Sequence, residues 1–272
     1  MPVDGRPKLH ELGVLQGQPC IEFEDVFHYY TRSNQSFEVV QEISFKVYER
    51  QFLAIVGPSG CGKTTLMNMV AGLVAPGRGR VLLNGREIDG IDKSRRIGYM
   101  LARDALLPWR SAVRNVEFAL ANQGLSRPET NRRAVEMLAL VGLEGFEDSY
   151  PSQLSHGMRQ RVAVARTLAP HPSILLMDEP FGALDAQTKL RVEEEFIRLW
   201  ERERVTVIFV THDLGEAIAL ADRVLVMSAR PGQIKMDLKV NLPRPRDLES
   251  VRFDPEYVDL YQRLWSGLKN EG

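Results

Sequence analysis

Two cysteines, Cys20 and Cys61, are all that 272 residues contain. They lie far apart and in no metal-ligand spacing, which argues against a disulfide framework and fits a reducing cytoplasm. Long apolar runs are also missing: no stretch approaches the roughly 20 residues that cross a bilayer. The opening MPVDGRPKLHELGVLQGQPC mixes charge with Pro and Gly and lacks the apolar centre of a secretory leader. Any membrane role is therefore expected to come through a partner. A formal net charge of -1 supplies no general pull toward nucleic acid or anionic lipid. What is present, 44% hydrophobic and 26% charged residues, is the composition of a soluble globular protein long enough for a full core.

Periodicity divides the chain. "IEFEDV" from Ile21 and "ISFKV" from Ile43 alternate as half-buried strands do, and "FLAIV" from Phe52 is a continuous apolar run suited to a central strand. Asn84-Gly85 marks a turn. From about Trp109 to Leu168 the pattern is helical, with Val113, Val116 and Leu120 on one face and Val135, Leu138 and Val141 on another. Pro128 and Gly142 stand where a helix start and end prefer them. Strand-like and helix-like segments then alternate through "SILLM", "VTVIFV" and "RVLVM", the order of a parallel sheet with crossover helices. "LPRPRD" reads as a linker, Glu256 to Leu268 as a terminal helix, and "EEEFIRLWERER" as a helix with a solvated charged face.

"GPSGCGKTT", Gly57 to Thr65, matches the phosphate-binding loop pattern between a buried-type strand and an apolar-faced helix. Gly57, Gly60 and Gly62 let backbone N–H groups turn onto phosphate oxygens; Ser59, Cys61 and Thr65 complete the loop, with Thr65 expected to open the helix. Lys63 would bring a cation to the β- and γ-phosphates of ATP, and the Thr64 hydroxyl would face Mg²⁺. Cys61 reads as a small filler whose thiol is reachable without nucleotide. "SILLMDEP" ends an apolar strand on Asp178 and Glu179, where ligands gather in open α/β sheets. Asp178 is expected to hold Mg²⁺ through water, and Glu179 to orient or deprotonate the attacking water.

"LSHGMRQRVAVARTL" from Leu154, "ILLMDEPFGALD" and Thr211-His212 closely resemble the ABC transporter ATPases, from about Ile21 to at least Met227. The resemblance implies an α/β P-loop fold: a RecA-like core, an antiparallel β subdomain and an inserted helical subdomain at about 103–168. It implies an N-terminal extension (1–19), an ATP-binding domain (20–240) and a C-terminal linker and helix (241–272). It further implies that two subunits sandwich two ATP molecules head to tail. Ser155 and Gly157 of the signature would act on the other subunit's γ-phosphate, Asp185 would lie in the loop linking the sites, and His212 would be the switch residue. On the residues alone, Ser155 is a good N-cap, so its helix start could receive a phosphate. By resemblance Tyr30 stacks on adenine, with Tyr29 as its rival. "LLPWR", "FGALD" and "LADRVLVMSARPGQI" look like importer subunits for nitrate, sulfonate, taurine and bicarbonate. That group implies transmembrane permease subunits, a second copy or homologous ATPase subunit, and a periplasmic or extracellular solute-binding protein. It implies a place at the cytoplasmic face of the membrane. Trp109 would then be an interface anchor, or else core of the helical subdomain.

Two departures from the pattern stand out. The family's glutamine after "IGYML" is replaced by Ala102, and no glutamine occurs from Phe52 to Asn122. Water would fill its place, or Arg103 would meet the phosphate, giving slower or differently coupled hydrolysis. His156 replaces a signature glycine; it either turns to solvent or donates a charge-assisted hydrogen bond that makes pairing pH-sensitive. Three functions stay open: an importer ATPase, a regulatory nucleotide-binding module with weak hydrolysis, and a soluble ABC protein acting on DNA or ribosomes. The last usually needs tandem cassettes or long coiled-coil insertions, which the chain lacks.

Overall fold

The computed structural model describes residues 18–32, 35–91, 96–101, 105–182 and 184–269. Ala102 and Arg103 therefore lie outside the described residues, as does the N-terminal extension as far as residue 17.

Two sheets carry the molecule. In the first, β1 (Pro19–Arg32) pairs antiparallel with β2 (Gln35–Tyr48) and, on its other edge, with β4 (Arg78–Leu83), which pairs with β5 (Arg86–Glu87). Ile21, Phe23 and Val26 all face inward, although strict alternation would turn Val26 outward. The register shifts between Phe23 and Val26, and Asp25 takes φ 47°, so one extra residue is absorbed in a bulge and the apolar face is kept. Asn84 (φ 50°) and Gly85 (φ 72°) make the tight turn into β5.

The second sheet runs β10–β9–β3–β8–β7–β6: β6 (Ile97–Met100), β7 (Ile174–Asp178), β8 (Thr206–Thr211), β3 (Phe52–Val56) and β9 (Arg223–Met227) are parallel, and β10 (Ile234–Lys239) is antiparallel at the edge. Every residue of β3, β7, β8 and β9 is buried, as continuous apolar strands covered on both faces require. The carboxyl ends of β3, β7 and β8 consequently open at one edge.

Between β6 and β7 the chain makes α2 (Ala112–Leu120), α3 (Arg127–Leu140) and α4 (His156–Leu168). Ser126 and Glu129 form a reciprocal capping box on α3, with Pro128 in its first turn. Val113, Val116 and Leu120 of α2 share one core with Leu138 of α3 and Val162 of α4. Asn115, fully buried, accepts from Leu107 N (2.8 Å) and donates to the carbonyl of Arg110 (3.0 Å), which fixes the preceding loop. Trp109 projects from that loop at 71% exposure, so it is not core of the helical part.

The remaining helices are α1 (Lys63–Val70), α5 (Ala186–Glu203), α6 (Leu214–Leu220) and α7 (Pro255–Lys269). Two readings of the sequence change here. The proline-rich stretch taken for a linker is packed: Arg246 is buried and donates to the carbonyls of Ile218, Ala219 and Ala221 at the end of α6 (3.1, 3.0 and 2.7 Å). Burial pulls its guanidinium down to about 10. In "EEEFIRLWERER", Glu193 is not on a solvated face but buried beside Lys189. Its neighbours Phe196 and Trp200 pack edge-on against Phe52 at 6.1 and 5.3 Å, and that helix face carries Glu193 inward with them.

Candidate functional site

The loop from Gly57 to Gly62 leaves β3 and enters α1. Gly57 passes so near β9 that a Cβ there would lie 2.9 Å from the Met227 carbonyl oxygen. Gly62 takes φ 102°, a left-handed conformation that favours glycine, and caps α1. The helix begins at Lys63 rather than at Thr65, so Lys63, Thr64 and Thr65 all contribute to the N-terminal turn, which favours anions. Lys63 is buried, its ammonium donating to the carbonyls of Gly57 (2.7 Å) and Pro58 (2.9 Å). Cys61 is completely buried, with Sγ close against Gly57. It is a filler, and the expected reachable thiol is not found.

Asp178 ends β7 and accepts a hydrogen bond from Thr64 Oγ1 (2.8 Å). Burial pushes the Asp178 carboxyl above its ordinary range; the Thr64 bond pulls down, Glu179 pushes up and Lys63 pulls down. Glu179 holds φ 47°, a strained conformation for a non-glycine residue of the kind that gathers at functional sites. Its Oε2 lies 3.4 Å from Nδ1 of His212, which follows β8. Tyr30, Ser59, Gly60, Gly62, Lys63, Thr64, Thr65 and Glu179 line one open depression. Tyr30 belongs to it and Tyr29 does not; Tyr30 is wedged between His28 (4.7 Å, edge-on) and Phe37 (6.4 Å). Gly57 and Cys61 lie behind its lining.

Ser155, Gly157 and Asp185 do not reach this depression. They gather at the starts of α4 and α5. Ser155 Oγ accepts from Met158 N (3.2 Å), and Asp185 Oδ1 accepts from Thr188 N (3.1 Å). The Thr188 hydrogen bonds hold Asp185 below the usual carboxylate range. A Cβ on Gly157 would meet Thr188 Cγ2 at 2.4 Å, so glycine here lets the two helix starts touch. His156 is exposed; its Nδ1 accepts from Arg159 (3.1 Å), leaving only Nε2 to donate.

Three residues that sequence reasoning did not single out join these parts. Gln160 of α4, buried, donates to the Pro180 carbonyl just beyond Glu179. Lys189 of α5 bridges Asp213 (2.7 Å), the N-cap of α6, and Glu216 (2.6 Å) in its first turn. Burial alone would lower the Lys189 ammonium, but those two carboxylates hold it above its ordinary value. Arg230, after β9, lines the depression. Arg230 lies within the importer-like run "LADRVLVMSARPGQI", yet nothing in that run places it beside the loop, which depends on the turn between β9 and β10 packing there.

A model of the ABC transporter family matches residues 40–182, more than half of the chain. An uncharacterised ABC transporter ATP-binding protein of Methanocaldococcus jannaschii is 45% identical over 92% of this chain and 92% of its own. A taurine import ATP-binding protein of Rhizobium johnstonii is 40% identical over 86% of this chain and 90% of its own. Among solved structures, a dimeric post-hydrolysis ATP-binding cassette bound to ADP and phosphate superposes with a TM-score of 0.73, at 29% identity, over 82% of this chain and all of that one. With the loop, the strand-end carboxylates and the sheet order in place, the chain belongs to the ABC transporter family, as an ATP-binding cassette with that family's ATPase fold.

Proposed function

We propose that this protein is the ATP-hydrolysing subunit of an importer, coupling ATP binding and hydrolysis to solute uptake through membrane partners. The observation that carries the reading is the gathering of Lys63, the Thr64–Asp178 pair and the Glu179–His212 pair around one depression. Lys63 and the α1 N-terminus receive the phosphates. Glu179 takes the proton of the attacking water, and His212 positions that carboxylate. Thr64 and Asp178 would hold Mg²⁺. Their hydroxyl and carboxylate are hard oxygen donors, and among the described residues no group of three or more His, Cys, Asp or Glu forms an all-protein cage. Mg²⁺ ordinarily takes one or two such side chains plus substrate phosphates and water. When bound it neutralises charge on the phosphates.

Ser155, Gly157 and Asp185 serve the nucleotide of a second copy or a homologous subunit, which fits their separation from this chain's own loop. No described helix is long and apolar enough to cross a membrane. Trp109 and Phe118, exposed at 71% and 52% beside Arg110, form the contact for transmembrane permease subunits at the cytoplasmic face. A solute-binding protein would deliver a small sulfonate or similar anion, the taurine import relative being the support for that class. The test is phosphate release and Mg-ATP binding by the purified chain. Wild type binds and hydrolyses, Lys63→Ala does neither, and equal activity of the two would end the proposal.

A further inference from the structure

The turn between β9 and β10 brings a cation to the nucleotide depression on a rigid support. Ser228 N donates to Gln233 O (2.9 Å), and Gln233 N donates back to Ser228 Oγ (2.9 Å). Gly232 stitches the turn to β2, donating to Val39 O (2.8 Å) and accepting from Gln41 N (3.0 Å). Gly232 also lies against the phosphate loop, for a Cβ there would stand 2.0 Å from the Cys61 carbonyl oxygen. Arg230 is thus tied to both β2 and the loop without itself being buried. Its guanidinium stacks over Phe37 at 5.0 Å, and Nη2 reaches the Gly60 carbonyl at 3.4 Å.

We propose that Arg230 is a nucleotide-binding residue, its guanidinium holding phosphate oxygens as a second cation beside Lys63. The inference rests on the reading that this depression binds ATP. Arg230 lines it together with Lys63, Thr64 and Glu179, and no carboxylate pairs with it among the described residues. One long bond to Gly60 engages a single N–H of a fork that carries five. Guanidinium geometry suits two phosphate oxygens at once, and the contact with Phe37 holds the group beside the loop before the ligand arrives. Closeness to Gly60, whose loop turns toward phosphates, favours the phosphate chain over the base. Arg230 stands inside the importer-like run "LADRVLVMSARPGQI", but that resemblance assigns it no role, and the assignment comes from the packing around it.

The experiment titrates the full-length protein with a fluorescent ATP analogue and measures ATP, ADP and adenosine by competition. Wild type is compared with Arg230→Gln, Arg230→Lys and Lys63→Ala. Arg230→Gln is expected to weaken ATP and ADP about tenfold, the loss of a charge-assisted contact, while adenosine is unaffected. Arg230→Lys recovers part of the affinity, and the thermal midpoint without nucleotide stays that of wild type. ATP affinity within about twofold of wild type in Arg230→Gln, alongside its loss in Lys63→Ala, overturns the assignment. Equal weakening of adenosine and ATP overturns it too, since the contact would then lie on the base. If Lys63→Ala binds ATP like wild type, the nucleotide site itself has been misread.

Discussion

The two clusters of polar residues in this chain are built to different degrees. Around the glycine loop, chemistry-bearing groups already touch one another: Thr64 bonds Asp178, Glu179 faces His212, and Lys63 is buried among carbonyls. At the starts of α4 and α5, Ser155 and Asp185 hydrogen-bond within the first turns of their own helices and are exposed. The first arrangement is that of a site assembled within one chain. The second is an anion-ready surface made from two helix N-termini. On the proposed reading, a single chain supplies a complete binding loop and a second surface that would serve another subunit's nucleotide, and pairing is for that reason part of the proposed cycle.

The sharpest way to separate the clusters is Glu179→Gln. Losing a general base should lower phosphate release by at least about 100-fold while ATP binding persists. ATP-dependent dimers should accumulate, visible by light scattering. Undiminished phosphate release would remove Glu179 from its role. Ser155→Ala comes next. The monomer should bind ATP as wild type does, yet hydrolysis and ATP-driven pairing should fall about tenfold, with a stability loss of about 1 kcal/mol from the missing cap. Weakened binding in the monomer, equal to that of Lys63→Ala, would break the division between the clusters. Trp109→Ala should leave basal hydrolysis and thermal stability unchanged, because the side chain is largely in solvent. Stimulation by the permease should drop several-fold, the size of a lost interface anchor.

Legibility in the sequence followed locality. Gly57 to Thr65 and Asp178-Glu179 are each contiguous and carry chemistry in their order, so loop and strand end could be placed before any fold was seen. Apolar runs at Phe52, Ile174 and Thr206 sufficed for a parallel sheet, because strands buried on both faces leave no polar interruptions. Arg230, Gln160 and Lys189 were not legible, since each acts on a residue brought near only by tertiary packing. Arg246 was misjudged for the same reason: a proline-rich, charged stretch looks like a linker until the carbonyl ends of α6 are known to need donors. The charge run containing Glu193 differs: its helical phase, shared with Phe196, Ile197 and Trp200, already points that carboxylate inward, but the run of three acids reads as a solvated face.

That carboxylate gives the smallest and most discriminating prediction, for it lies on the bridge between the clusters. Glu193 lies on α5, which Asp185 caps, and Lys189 joins it to Asp213 and Glu216 at the start of α6. Burial first, and the Glu216 charge next, raise its carboxyl to about 8, against the pull of Lys189; Asp213 raises it further and Arg252 lowers it, with Tyr257 also nearby. An acid that holds its proton more tightly folded than unfolded stabilises the fold below the ordinary carboxylate range, and that contribution drains away as pH climbs toward 8. Glu193→Gln keeps a neutral side chain at every pH. Its thermal midpoint should match wild type near pH 4 and pull ahead progressively as pH rises toward 8, standing several degrees above wild type at pH 9. Parallel melting curves across that range would mean that Glu193 is ionised at neutrality and that Lys189 neutralises it. The bridge would then be an ordinary ion cluster tying α5 to the start of α6.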